Sequence, residues 1–236
     1  LKLFCYVGAV VGARGVGVGF EGVRVGRPGG GADVAPRGVV SCVPVGRIGR
    51  YGVLEYEFMN SQQIRLALFA SGSGSNVQAL LDYFGSESRV RPVVLITDNP
   101  KAYAIIRATE AGIPVVVLPR LGWNRGELLL RILRGWQVEG LALAGYLKKI
   151  PASVIEAYPN RILNIHPSLL PKFGGKGMHG LHVHEAVLAA KEAETGITVH
   201  IVTENYDEGP IIFQASLPIE ARWSAQELQQ AVLRLE

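Results

Sequence analysis

Hydrophobic and polar positions follow a regular alternation from about Ile64 to the end of the 236 residues. Five apolar runs have the length and β-branched content of buried strands: "IRLALFA" (64–70), "RPVVLIT" (91–97), "IPVVVL" (113–118), "VEGLALAG" (138–145) and "RILNIH" (161–166). Between them, 76–84, 101–111, 125–136 and 151–157 are apolar on one face at helical spacing. Strands that alternate with helices predict an α/β fold, a mostly parallel sheet flanked by helices on both faces. "ITVHIV" (197–202) and "IIFQASLPI" (211–219) follow with only a short loop between them. Such a pair predicts antiparallel edge strands near the C-terminus. A last helix is expected to start near Ser224, a suitable N-cap.

The first 58 residues lack this pattern. They hold about half of the 29 glycines and both cysteines, Cys5 and Cys42, with a single serine and no Asn, Gln, Thr, His or Trp. "GARGVGVGFEGVRVGRPGGG" has neither helical nor strand period, and glycine at that density is costly to order. Residues 1–58 are therefore expected to be a disordered arm or translated upstream sequence, with Met59 as the initiator and the folded domain over 59–236.

Bulk numbers narrow the class. A hydrophobic share of 48% and a charged share of 19% describe a globular chain. Seven basic and four acidic residues before Met59 supply +3 of the +4 net charge, which leaves the remainder nearly neutral and gives no pointer to nucleic acid. Two cysteines make no disulfide framework or cysteine metal site, and a cytosolic setting is expected. The apolar runs fall short of the roughly 20 residues a membrane helix needs.

In open α/β sheets ligands bind beyond the carboxyl ends of the strands. That rule points to the loops after Ala70, Leu143, Ile165 and Val202. "ASGSGSN" (70–76) reads either as a phosphate cradle at a helix N-terminus or as a tight strand-to-helix turn capped by Ser75 or Asn76. It has neither the Lys-Ser/Thr of a P-loop nor the third glycine of a dinucleotide fingerprint. Thr97-Asp98 is the nearest candidate for a ribose partner at the end of the second strand.

"ILNIHPSLLPKFGG" (162–175) carries Asn164 and His166 two residues apart, hence on one face of a strand. Taken alone, the pair also fits a hydrogen-bonded structural role. "ENYDEGPII" (204–212) sets Asp207 in a Gly-Pro turn that could meet His166. An amide donor, an imidazole acid/base and a carboxylate that orients it suit a tetrahedral intermediate. In "MHGLHVHE" (178–185) His182 and His184 have poor spacing for two ligands on one helical face, so no metal is expected. Lys176 in "GGKG" should be solvated, and His200 reads as a core histidine or one standing behind the site.

Together these stretches resemble the phosphoribosylglycinamide formyltransferases. The resemblance runs from about Ile64 to Glu236 through "SGSGSN" (71–76), "LALAGYLKKI" (141–150), "RILNIHPSLLPKFGG" (161–175) and "GITVHIVTENYDEGPIIFQ" (196–214). It implies a Rossmann-like fold and formyl transfer from 10-formyltetrahydrofolate, as co-substrate, to the amine of 5-phosphoribosylglycinamide. It implies catalytic roles for Asn164, His166 and Asp207. It also implies substrate contacts at Gly74, Ser75, Asn76, Arg125 and Glu236, and folate contacts at Leu147, Lys148, Ile150 and Glu204. The family continues past its glutamate, so the domain is expected to be truncated at the C-terminus.

The partners implied are small molecules, with no nucleic acid or membrane, for a monomer or homodimer. The alternatives are a formyltetrahydrofolate deformylase, a methionyl-tRNA formyltransferase, or an inactive phosphate- or folate-binding fragment.

Overall fold

The structure, a computed structural model, describes residues 63–84, 89–118 and 126–236. The glycine-rich segment 1–58 and Met59 lie outside these residues. Among them seven strands and six helices follow in order: β1 (Ile64–Phe69), α1 (Ser75–Tyr83), β2 (Val90–Thr97), α2 (Ala104–Glu110), β3 (Val115–Val117), α3 (Glu127–Gly135), β4 (Gly140–Leu143), α4 (Ala152–Ala157), β5 (Ile162–His166), α5 (Leu181–Ala189), β6 (Glu194–Ile201), β7 (Ile211–Pro218) and α6 (Ala225–Leu233). Every strand expected from the pattern forms. Boundaries differ at the ends, where β6 starts three residues earlier than expected and β3 is shorter.

The sheet order is β3-β2-β1-β4-β5-β6-β7. Pairs from β3 to β5 are parallel, whereas β5–β6 and β6–β7 are antiparallel. β1 is an interior strand with both faces covered, which is why its apolar run is nearly continuous. Leu66 and Leu68 pack with Val77, Leu80, Ala104 and Ala108 of α1 and α2. Ala67 and Phe69 point the other way, to Leu129, Leu133 and Val154 of α3 and α4. A separate cluster joins α5 and α6 to β6 through Val183, Val187, Ile197, Leu228 and Val232.

Local chemistry explains the irregularities. The β1–β2 register shifts between Leu66 and Ala67, opposite Pro92, where the ladder loses a donor. A Cβ at Gly196 would run into the Ala215 carbonyl, so glycine lets β6 and β7 approach. Ser224 caps α6 in a reciprocal box with Glu227, as its position in the sequence suggested. Among the described residues no helix is long and apolar enough to cross a membrane.

Candidate active site

The loop between β1 and α1 is built by a close approach. Gly74 has φ +72°, and a Cβ there would sit 2.7 Å from both Cα and Cβ of Ala104. Gly74 itself is the N-cap of α1 and no side chain caps the helix, which corrects the alternative reading of a turn capped by Ser75 or Asn76. Backbone N–H groups of the first turn are thereby left for a ligand. Ser75 is exposed. Asn76 instead donates through Nδ2 to Glu236 Oε2 at 2.8 Å, across 160 residues of chain. Both side chains line a recess with Leu80, Leu163, Val199 and Asn164. Burial pushes the Glu236 carboxyl up, and the Asn76 hydrogen bond opposes it. Arg125 lies outside the described residues.

A second recess opens on the other side of Asn164. Its walls are Tyr146–Ile150 and Val202–Asp207, which include all four residues expected on this side: Leu147, Lys148, Ile150 and Glu204. Lys149 Nζ lies 5.9 Å from the Tyr206 ring centroid.

Strand stagger brings the two walls together. Leu143, the last residue of β4, is level with Asn164 of β5, and Asn164 is level with His200 of β6. β6 runs antiparallel and ends beside the amino end of β5, with Val202 N–H on the Ile162 carbonyl at 2.9 Å, and the loop that follows lines one recess together with Leu143.

Between the recesses four side chains converge. Asp207 Oδ2 lies 3.5 Å from His166 Nδ1, and its Oδ1 lies 3.5 Å from both His200 Nε2 and Asn164 Nδ2. Gly175 N–H donates to Oδ2 at 2.8 Å. Asp207 sits at φ +57°, a left-handed conformation that aspartate tolerates. His200 Nδ1 is 2.9 Å from the Ile201 carbonyl, which assigns the proton there and leaves Nε2 to accept from Asn164 Nδ2 at 3.1 Å. That contact fixes the Asn164 amide with its NH2 toward Asp207. The N–H facing the carboxylate makes a hydrogen bond at the limit of length, so it is the one free to turn to another oxygen.

His166 is 3% exposed, and both its ring nitrogens face oxygen. Nε2 donates to the Phe173 carbonyl at 2.8 Å, and Nδ1 faces the carboxylate. Burial is the largest influence and pulls its pKa below the usual imidazole value; Asp207 and the Phe173 carbonyl pull it back up, and His200 adds to the fall. For Asp207, burial acts upward. The neighbouring His200 ring, the His166 ring and the Gly175 N–H outweigh it and hold the carboxyl below its ordinary range. The pair therefore favours an ionised carboxylate beside an imidazole whose protonation the carboxylate promotes. Phe173 has φ +55°, rare for a bulky side chain, and its carbonyl is the one aimed at His166.

Sequence reasoning left His200 between the core and a place behind the site, and missed Gly175. The contacts of His200 with Asn164 and Asp207 favour the second of those readings. The signal was antiparallel pairing, because the residue opposite Asn164 shares its face, but that register is not written in the letters. Gly175 donates to Asp207, and a Cβ at Gly174 would meet Leu170 Cδ2 at 2.6 Å and Asp207 Cβ at 3.2 Å. The "GGKG" glycines thus let the loop close on the carboxylate, while Lys176 is exposed. In the histidine-rich stretch, His182 pairs with Glu185 at 3.2 Å on the surface. His184 is buried, and burial, then His166, lower its pKa to about 4. Asp98, just past the end of β2, accepts a hydrogen bond from Ser71 at 2.7 Å.

Comparison with known proteins adds a separate line. The profile of the family described as formyl transferase matches residues 64–236. The chain is 41% identical over 179 residues to the chloroplastic phosphoribosylglycinamide formyltransferase of Arabidopsis thaliana, which covers 73% of this chain and 61% of that protein. It thus spans about three-fifths of that relative's length. It is 36% identical to phosphoribosylglycinamide formyltransferase of Bacillus subtilis over 73% of this chain and 88% of the relative. The crystal structure of glycinamide ribonucleotide transformylase 1 from Geobacillus kaustophilus is similar at a TM-score of 0.67 and 37% identity, covering 73% of this chain and 92% of that one.

Proposed function

Since the chain belongs to the formyl transferase family, we propose that it transfers a formyl group from 10-formyltetrahydrofolate to the amine of 5-phosphoribosylglycinamide, a step of purine biosynthesis. The observation that carries this reading is that Asn164 lines both recesses. A phosphorylated amine held by Gly74, Ser75, Asn76 and Glu236 would meet, at Asn164, a formyl group carried by a folate in the second recess. Arg125 would add a contact to the amine substrate.

In this mechanism the amine nitrogen attacks the formyl carbon. A C–N bond forms, and the carbonyl electron pair moves onto oxygen. The Asn164 amide and protonated His166 stabilise that oxyanion, a type of contact whose loss costs ~2.7–4 kcal/mol. Asp207 favours the protonated form of His166 and takes the proton released by the attacking amine. The carbonyl re-forms, the bond to folate N10 breaks, and the proton passes to N10. His200 orients the Asn164 amide. No nucleophilic side chain is required, because the substrate supplies one.

The full chain is to be mixed with 10-formyltetrahydrofolate, with and without phosphoribosylglycinamide. Folate release that depends on the amine is expected. Release without it would make the protein a hydrolase, and no release in either arm would sink catalysis altogether. We place the enzyme in the cytosol, acting on small molecules as a monomer or homodimer. Fractionation to a plastid, as the Arabidopsis relative's name describes for that protein, would count against the location.

A further inference from the structure

Ser71, the second residue after β1, is 7% exposed, and every hydrogen-bonding group it has is in use. Its N–H donates to the Gly145 carbonyl at 3.0 Å, and its own carbonyl accepts from Asn99 Nδ2 at 2.9 Å. Its hydroxyl donates to Asp98 Oδ1 at 2.7 Å and accepts from Leu147 N–H at 3.1 Å. The direction of this relay is forced. A carboxylate can only accept, so the hydroxyl proton points at Asp98 and the lone pair is left for the Leu147 amide.

The two loops joined here belong to different recesses. Residues 71–74 lead into the uncapped N-terminus of α1, and they are pinned from α2 as well, with Ala104 N–H on the Gly72 carbonyl at 3.1 Å and Arg107 Nε on the Ser73 carbonyl at 3.0 Å. Leu147 opens the wall 147–150 of the second recess, and Tyr146 beside it packs edge-on against Phe69 at 5.5 Å between ring centroids. Burial, then the Asp98 carboxylate, raise the pKa of the Tyr146 phenol, which shows how near the carboxylate lies to this wall. The substrate and folate contacts that the family resemblance implies include neither Ser71 nor Asp98.

We infer that Ser71 and Asp98 form a positioning pair that sets the Leu147–Ile150 backbone for the formyl-folate side of the site, tying it to the loop that receives the anion. The inference rests on the proposed function for the identity of the ligand. The geometry of the pair does not depend on it.

Ser71→Ala removes the acceptor of the Leu147 N–H and should raise KM for 10-formyltetrahydrofolate roughly tenfold, the effect of a partly buried amide left unpaired. Asp98→Ala keeps that oxygen but frees the hydroxyl to turn its proton toward the N–H, and should raise the same KM. KM for phosphoribosylglycinamide and kcat should stay within about threefold. The double variant should be no worse than Ser71→Ala alone, since both changes act through the same hydroxyl. Asp98→Asn, which can still accept the hydroxyl proton through Oδ1, should restore most of the folate affinity. Hydrogen exchange of the 145–150 peptide, measured with no ligand added, should quicken in both alanine variants and not in Asp98→Asn.

A folate KM within twofold of wild type, equal rises for both substrates, or additive losses in the double variant would overturn the pairing. Should the wild-type chain fail to use formyl folate at all, the proposed function fails. The exchange experiment then decides the pair by itself, with unchanged exchange refuting it.

Discussion

Replacing Asp207 by asparagine removes one charge and turns one of its two acceptor oxygens into a donor. Asparagine tolerates the left-handed backbone at φ +57°, and its Oδ1 can still accept the Gly175 N–H. The charge lies 3.5 Å from His166 Nδ1, with the two side chains 4% and 12% exposed. Two unit charges at that distance attract by about 5 kcal/mol at an effective dielectric of ~20 and by about 1 kcal/mol in water. Burial argues for the upper part of that span, while the amide dipole that remains argues for less. A loss of roughly 3 kcal/mol is expected, about a 10²-fold fall in kcat.

The sign of the pH effect follows from the same contacts. Burial already holds His166 below its usual value, and Asp207 is the largest influence raising it. Without that carboxylate the imidazole loses its proton at lower pH. If protonated His166 stabilises the oxyanion, the alkaline fall of kcat should move to lower pH in the variant. The assay is formyl transfer followed across pH, with thermal melts to confirm folding. A kcat within threefold of wild type and an unmoved profile would refute the assignment of Asp207, as would an equal loss in Lys176→Ala.

Lys176 is exposed and touches none of the four converging groups, so Lys176→Ala should leave kcat and both KM values within about twofold. Asn76→Ala breaks the 2.8 Å contact to the Glu236 carboxylate; a charge-assisted bond of ~1.5–3 kcal/mol implies roughly a tenfold or greater rise in KM for the phosphorylated amine, with kcat little changed in steady-state kinetics. Gly174→Ala forces a methyl against Leu170 and Asp207 and draws the Gly175 N–H off the carboxylate, which should lower kcat roughly tenfold in the same assay. Gly196→Ala meets the Ala215 carbonyl between β6 and β7. At roughly 3 kcal/mol of overpacking the melting temperature should drop by about 6–12 °C in calorimetry.

The strands were legible because a covered parallel sheet writes itself as apolar runs, and β1, β2 and β5 appear within a residue or two of where those runs lie. Asn164, His166 and Asp207 were legible because polar groups at strand ends and in a Gly-Pro turn stand out against their surroundings. What could not be read was what depends on pairing. The level of Leu143, Asn164 and His200 is a matter of register across three strands, and it alone turns His200 from a core residue into a neighbour of Asp207. The role of Gly175 was hidden for a related reason, since a backbone N–H has the same letter wherever it points. Ser75 and Asn76 looked like caps because their side chains suit that task. Gly74 took the position through its positive φ, and Asn76 was drawn to Glu236 at the far end of the fold.

Asp207 is carried by the same β6–β7 hairpin whose residues 203–206 wall the second recess. Grip on the donor and command of the proton are therefore linked mechanically, on the proposed reading, and any change to that turn alters both together. Selection or engineering for a different donor can act independently of the acid–base chemistry only from the opposite bank, at 147–150.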